Sequence, residues 1–414
     1  MNKTSKHILI ISALMVMSFN LQAQWFSSDG QAAIISGEID TSRDNAISNA
    51  LLSIMYKAGT SIESIQVVKS GVLKVNELTI KTNGEIHDMR LISERVADGI
   101  IHVNIQADLY PFSLCPQEKY AKTMFVGPFH LKTRKHAQLG GIFHSDEAIS
   151  QRLYYQLKRD AKKIDPRYVM TQQIAFTKDT HHNIELQVLE VARQIASKYD
   201  VQYLLFGTIE DMSDYYETTS SLLTLRTRHK RNFQMNIYLV DGINNVTLFQ
   251  KNYAAVSDWP YDMTLKFDVK SSAFWETDYG KIIDDNIDQA INDVQQALYC
   301  QPTMATIIAQ YDDQVIINIG HRNNVKKGDQ FQLIRRRYVT HQSSLLQGPV
   351  FIPDDILLTV VSLQSDRAIL KPSNPTDMNN IQIRDMLTPV DEYTLQRLMK
   401  EKKDKTNNTI EKRS

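Results

Sequence analysis

Cysteine is nearly absent: Cys115 and Cys300 are the only two in 414 residues. A metal site built on either would need further ligands close by, so in an oxidising compartment the pair reads as a disulfide, with two separate buried thiols as the alternative. Long apolar runs are missing as well. The first, residues 8–19, is about twelve residues, short of the roughly 20 that a membrane-spanning helix needs, and no later segment is long enough to span. Net charge is absent too, with 47 basic and 47 acidic side chains. The chain therefore has no global attraction to nucleic acid or anionic lipid.

The signatures of common chemistries are equally scarce. Gly127-Pro128 and Gly140-Gly141 are the glycine-rich spots near a strand–helix junction. Neither has the spacing that wraps a phosphate, which excludes a dinucleotide or P-loop site. There is no His-Glu-x-x-His pair, no Gly-x-Ser-x-Gly elbow and no cysteine–histidine nucleophile; metalloprotease and serine- or cysteine-hydrolase chemistry have no visible carrier. His181-His182 is the densest histidine cluster, and adjacent loop histidines do not converge on one metal, so they read as solvated. Asp284-Asp285 with Asp288 falls on the polar face of a helical pattern and reads as ordinary surface rather than as paired catalytic acids. Two basic runs, 226–231 and 335–337, read as solvated hairpin rims. A polyanion site and a protein-contact patch are the alternatives there. The expectation is no enzyme, no cofactor and no metal.

What is present begins with an export signal. Lys3 and Lys6 precede the apolar run, and the small residue Ala23 follows Leu21-Gln22. This is the three-part pattern of a secretory signal peptide cleaved between Ala23 and Gln24, and a membrane anchor is the weaker alternative. No cysteine follows Ala23, so lipid attachment of the bacterial lipoprotein kind is not expected. Cleavage removes two lysines and no acid, leaving a charge near −2.

Length favours several domains, and the patterning suggests a multidomain α+β chain. Its segments are a leader (1–23), an N-terminal α+β unit (24–114), a middle α/β unit (115–301), a C-terminal β-barrel (302–393) and a charged tail (394–414) with no apolar content to bury. In the first unit Ala46, Ile47, Ala50, Leu51, Ile54, Met55 and Ala58 make one helical stripe, with Thr41 and Asp44 as a capping pair and Gly59 as a stop. Strands are expected at 78–81, 86–95 and 100–109, the last two joined through Asp98-Gly99. The result is one helix on a small antiparallel sheet. In the middle unit strands at 122–131, 168–176 and 201–207 alternate with helices around 149–161 and at 184–199. Strands 232–240 and 247–256 and a closing helix 279–298 follow; the alternation argues for a parallel or mixed sheet. The run 226–231 is placed in an excursion between strands. In the third unit short strands at 305–310, 314–319, 330–336, 356–363 and 367–371 suit a small SH3-like barrel. At its centre a turn from Ile319 to Phe331 carries Val325 inward. The two cysteines bracket the middle unit like a clasp, and closing so long a loop is worth about 4–5 kcal/mol in the chain-entropy model.

The ordered combination of these features resembles the flagellar assembly protein T family. Ala46-Ile47, Ala50-Leu51, Gly59, Gly71-Val-Leu, Gly84-Glu-Ile and Asp98-Gly99 carry the match at the N-terminal end. Trp275-Glu-Thr-Asp-Tyr-Gly280, Leu298-Tyr-Cys-Gln-Pro302 and Val325-Lys-Lys-Gly-Asp329 continue it, in the same order. The resemblance implies a middle domain similar to the N-terminal domain of the Tol-system protein TolB, and a last domain that is a small barrel. It implies a periplasmic structural and assembly role: self-association into the outer H ring around the rod bushing of the flagellar basal body, supporting the stator-anchoring T-ring proteins. A TolB-like envelope adaptor, binding a lipoprotein or peptidoglycan-associated partner, is the alternative. The resemblance assigns no partner to the run 226–231.

Overall fold

The computed structural model describes residues 24–34, 39–58, 86–97, 99–109, 119–171, 184–221, 224–299, 301–338, 349–390 and 395. The leader, Gly59, the strand expected at 78–81, His181 and His182, both cysteines and, apart from residue 395, the charged tail lie outside these residues.

The first unit is a three-stranded antiparallel sheet under one helix. Strands β1 (Gln24–Ala33), β2 (Ile86–Ala97) and β3 (Ile100–Leu109) pair in the order β1-β3-β2, and α1 (Ile39–Ala58) crosses them. In β3 the alternation read from sequence is real: Ile101, Val103, Ile105, Ala107 and Leu109 are buried. Gly99, at φ 74, turns the hairpin into it. Strand β1 was not expected. Opposite the buried residues of β3 it sets Phe26, Ser28, Gly30 and Ala32, mostly small residues that show no hydrophobic alternation. They are small because α1 lies almost on the backbone. A Cβ on Gly30 would stand 2.7 Å from the Ala50 nitrogen, and closer still to the Ala46 oxygen.

The helix also starts earlier than expected, at Ile39, so Thr41 sits in the first turn and is no cap. Its buried stripe reaches back from Ala46 to Ser42, one turn earlier. A polar Ser in a buried position hid that turn from a hydrophobic count.

The middle unit is a six-stranded mixed sheet. Strands β4 (Lys122–Leu131), β5 (Ile164–Val169) and β6 (Tyr203–Asp211) are mutually parallel, with β4 between the other two. Antiparallel β8 (Thr224–Asp241) joins β6, and β7 (Asp214–Ser221) and β9 (Val246–Asp258) both pair with β8. Helices α2 (Ser145–Asp160) and α5 (Asp278–Leu298) pack with the large core, α3 (Ile184–Tyr199) with a separate smaller one, and a single turn α4 (Ser272–Trp275) precedes α5. Two expectations are corrected. The second strand runs 164–169, starting before the 168 expected, and residues 172–176 of the expected strand lie outside the described residues; Pro166 masks the start in sequence but is tolerated because β5 is the sheet edge. The run 226–231 is no excursion but part of an 18-residue strand. The helix α1 packs against β9, so the first two units share one continuous apolar core.

The third unit is a closed barrel in the order β10-β11-β14-β13-β12-β15. Its strands are β10 (Ala305–Tyr311), β11 (Gln314–Ile317), β12 (Gln330–Tyr338), β13 (Pro349–Leu363), β14 (Ala368–Pro372) and β15 (Met386–Pro389). Strand β15 was not expected, yet it closes the barrel: Leu387 pairs with Ala305 on one side and Leu333 on the other. Closure removes both sheet edges. The barrel core admits one outsider, Tyr120, whose ring lies 5.6 Å from that of Phe331.

Candidate functional site

The densest polar constructions in the described residues hold elements together, one across the joint of two units and one inside the middle unit. The first joins the middle unit to the barrel. At the start of β5 the buried carboxylate of Asp165 accepts from Arg167 Nε (3.0 Å), Arg322 Nη2 (2.8 Å) and Asn323 Nδ2 (3.2 Å). Asn323, fully buried, uses its whole amide. Its Nδ2 also donates to the Ala121 carbonyl (2.9 Å), and its Oδ1 accepts from Arg167 Nη2 (3.1 Å) and from the Gly320 N–H (3.2 Å).

Arg322 and Asn323 lie on the turn whose sequence promised to carry Val325 inward, and Val325 is indeed buried. Its second role, docking the barrel, had no sequence signal beyond an Asn-Asn pair. Around it Lys119 Nζ meets Asp329 (2.6 Å), Gln202 Nε2 and the Tyr203 hydroxyl both donate to the Pro302 carbonyl, and Asn318 Nδ2 donates to the Asp200 carbonyl. A buried network with its members satisfied fixes one arrangement, whereas a half-satisfied one is costly. Asn323→Ala is therefore expected to weaken the joint by about 1–3 kcal/mol, the cost of stranding buried partners. Limited proteolysis should release the barrel sooner in that variant, while the exposed His321→Ala keeps the wild-type pattern.

The second construction corrects the reading of the run 226–231. Arg231 is wholly buried, though it was expected on a solvated rim. Strand alternation explains this: Arg231 falls in register with buried Phe233, Met235, Ile237 and Leu239. Its guanidinium donates to the carbonyls of Met212 (3.3 Å), Leu139 (3.0 Å) and His136 (2.7 Å), and lies 4.4 Å from the centroid of Trp259 and 4.9 Å from that of Tyr279. Among the described residues no carboxylate pairs with it. Burial pushes its pKa down and that of Tyr279 up.

The rest of the run is largely neutralised. Lys230 meets Asp258 at 2.7 Å and Arg228 meets it at 3.6 Å; His229 bonds Asp214 and stacks on Tyr216. In the other basic run Arg335 pairs with Asp354 at 2.7 Å.

The acidic triplet is likewise not plain surface. Asp284 takes both branches of the Arg152 guanidinium, which itself lies over the Trp275 ring, so it ties α5 to α2. Asp285 and Asp288 remain exposed. Partial burial, then Asp284 and Asp160, push the Asp288 carboxyl above its ordinary value. Gly140 and Gly141 turn at positive φ against Trp259 and Lys266, a packing role. Among the described residues no group of three or more His, Cys, Asp or Glu could hold a metal, and no helix is long and apolar enough to cross a membrane.

Solved structures match parts of the chain with low overall superposition. They include a hypothetical protein from Chlamydia trachomatis (13% identity, TM-score 0.28, 44% of this chain and 98% of that one). A PelC dodecamer from Paraburkholderia phytofirmans matches at 10% identity and TM-score 0.24, over 52% of this chain and 99% of that one. A putative neuraminyllactose-binding hemagglutinin homolog from Helicobacter pylori gives 9% identity and TM-score 0.25, over 44% and 84%. No curated protein matches. Family models are decisive where these are not. Those for the N-terminal, middle and C-terminal domains of flagellar assembly protein T match residues 24–111, 113–269 and 312–389 in order. All three describe a flagellar assembly protein and none an enzyme. Three domains of one family, in sequence over most of the length, leave one conclusion: the chain belongs to the flagellar assembly protein T family and so to the proteins of the flagellar basal body.

Proposed function

We propose that the protein is a non-enzymatic periplasmic component of the flagellar basal body that self-associates in the outer H ring around the rod-bushing rings and supports the stator-anchoring T-ring proteins. One observation supports this reading: the buried polar network at Asp165–Asn323 is spent on joining the middle unit to the barrel. A rigid three-unit body transmits force without chemistry. The proposed organisation is a leader cleaved between Ala23 and Gln24, domains at 24–114, 115–301 and 302–393, a TolB-like middle domain and an SH3-like barrel. A Cys115–Cys300 disulfide clasps the middle domain.

Deletion with motility scoring and electron microscopy of isolated basal bodies tests the role. The expected result is loss of swimming with an incomplete outer ring; normal swimming with complete rings overturns it. Outer-membrane leakage and detergent sensitivity in place of a motility defect would favour the envelope-adaptor reading. The clasp has its own check. Non-reducing peptide mapping of periplasmic protein should recover one Cys115–Cys300 cross-linked peptide, and two free thiols would remove it.

A further inference from the structure

Two surfaces of the middle unit are left over once the core and the joint are accounted for. The first is an arm. Strand β7 and residues 224–229 of β8 pair with one another, while β6 and β9 flank only the later part of β8. The arm is exposed from Asp214 to Thr219 and from Arg226 to Arg228, and presents Tyr215, Tyr216, Arg226 and Arg228 to solvent. At its base the buried Arg231 anchors it, so it is presented in one direction rather than loosely.

The second surface is a groove of about 350 Å³ along β9. Consecutive residues from Lys251 to Ala255 line it, which means that it follows the strand's edge; Ile282, Asp285 and Gln289 of α5 form the opposite wall. Among the described residues β9 pairs with no strand but β8, while the helices α1 and α5 pack against it. An open strand edge in a groove is a template for an added strand.

We propose that the β7–β8 arm of one copy lies in the β9 groove of a second copy of this chain, adding a strand to its sheet and linking copies head to tail. The charges are complementary: the arm carries Arg226, and Arg228 with only a long 3.6 Å contact to Asp258, while on the groove wall Asp285 stands with Asp288 one turn further along α5 and the groove's Lys251 is already paired with Asp293. Within one copy the surfaces cannot meet. Lys230 pairs with Asp258 at the end of β9, the Trp259 N–H closes on the His229 carbonyl, and the arm continues beyond that end, away from Lys251–Ala255. A contact between two different patches is heterologous and generates a ring when its rotation closes. The proposal rests on the ring reading above and names its surfaces.

The test is a photo-cross-linking amino acid at the exposed Thr218 of the full-length chain, expressed in place of the wild type. Irradiated cells should yield an adduct of twice the chain mass whose linked peptide maps within 250–289. Arg226→Glu with Arg228→Glu should reduce the adduct about tenfold by setting like charges together, and adding Asp285→Arg and Asp288→Arg should restore it. An adduct to a different protein, an adduct mapping elsewhere on this chain, or no adduct in cells whose outer rings are complete each overturns the arm contact while leaving the ring reading standing. If deletion leaves the rings complete, the ring reading fails, and the arm contact with it.

Discussion

Arg231→Leu should cost the middle unit about 3–5 kcal/mol, because it strands three buried carbonyl acceptors. The side chain is wholly buried and its three donor directions meet the carbonyls of Met212, Leu139 and His136. Leucine leaves those acceptors stranded in a dry site, and each buried unsatisfied group costs about 1–3 kcal/mol. It also removes the cation between Trp259 and Tyr279, worth about 2 kcal/mol when desolvated. Against these losses stands relief from desolvating an arginine that burial already pushes toward the neutral form, so the net falls below the sum. Arg231→Lys should recover only part, because one ammonium cannot reach three divergent carbonyls with the reach of a planar fork. A urea titration followed by tryptophan emission, to which Trp259 and Trp275 of the middle unit both contribute, reads both variants as a shift in midpoint. An Arg231→Leu midpoint within error of wild type would show that the guanidinium contributes nothing net.

Gly30→Val is the second large effect, and it belongs to the first unit. The added atoms would fall on the backbone of α1, 2.7 Å from the Ala50 nitrogen and 2.8 Å from its Cβ. A helix backbone cannot rotate away as a side chain does, so the whole helix must lift. Overpacking of this kind costs about 1–3 kcal/mol, and more where backbone must move. Lifting α1 also opens the contacts of Ala46 and Leu51 with the sheet, and strains the bond from Asn49 Nδ2 to the Gln31 carbonyl at 2.9 Å. Hydrogen exchange should report it as faster exchange throughout α1 and β3, with the barrel strands unchanged. Gly30→Ala should show the same pattern more weakly. Unchanged protection in α1 would mean that the helix does not lie as close as the structure places it.

Much of the architecture is legible in the sequence. Period-two alternation in 100–109 and the helical stripe of 184–199 both fall on the observed element bounds. Such stretches bury one face against a broad apolar partner, so the local pattern and the tertiary environment agree. Elements without a local hydrophobic pattern share a different physics. Strand β1 buries small residues beneath a close helix, β7 buries almost nothing, and β15 is four residues long. A hydrophobic count has no purchase on any of them.

The polar site residues were harder still. Arg231 and Arg226 look alike in sequence, and Asp284 and Asp285 are neighbours on one helix. One member of each pair is tied into the structure and the other faces solvent, because a strand alternates faces every residue and a helix turns 100°.

By itself the sequence determined the order of units, the main helices and strands, and the ordered combination of residues that marks the family. Those depend on local periodicity and residue identity, which are one-dimensional. Only the tertiary structure decided which charges are buried, which turn docks the barrel and which strands remain unpaired at an edge. Each is settled by what a distant segment brings within hydrogen-bonding reach, as Ala121 does for Asn323 across more than two hundred residues.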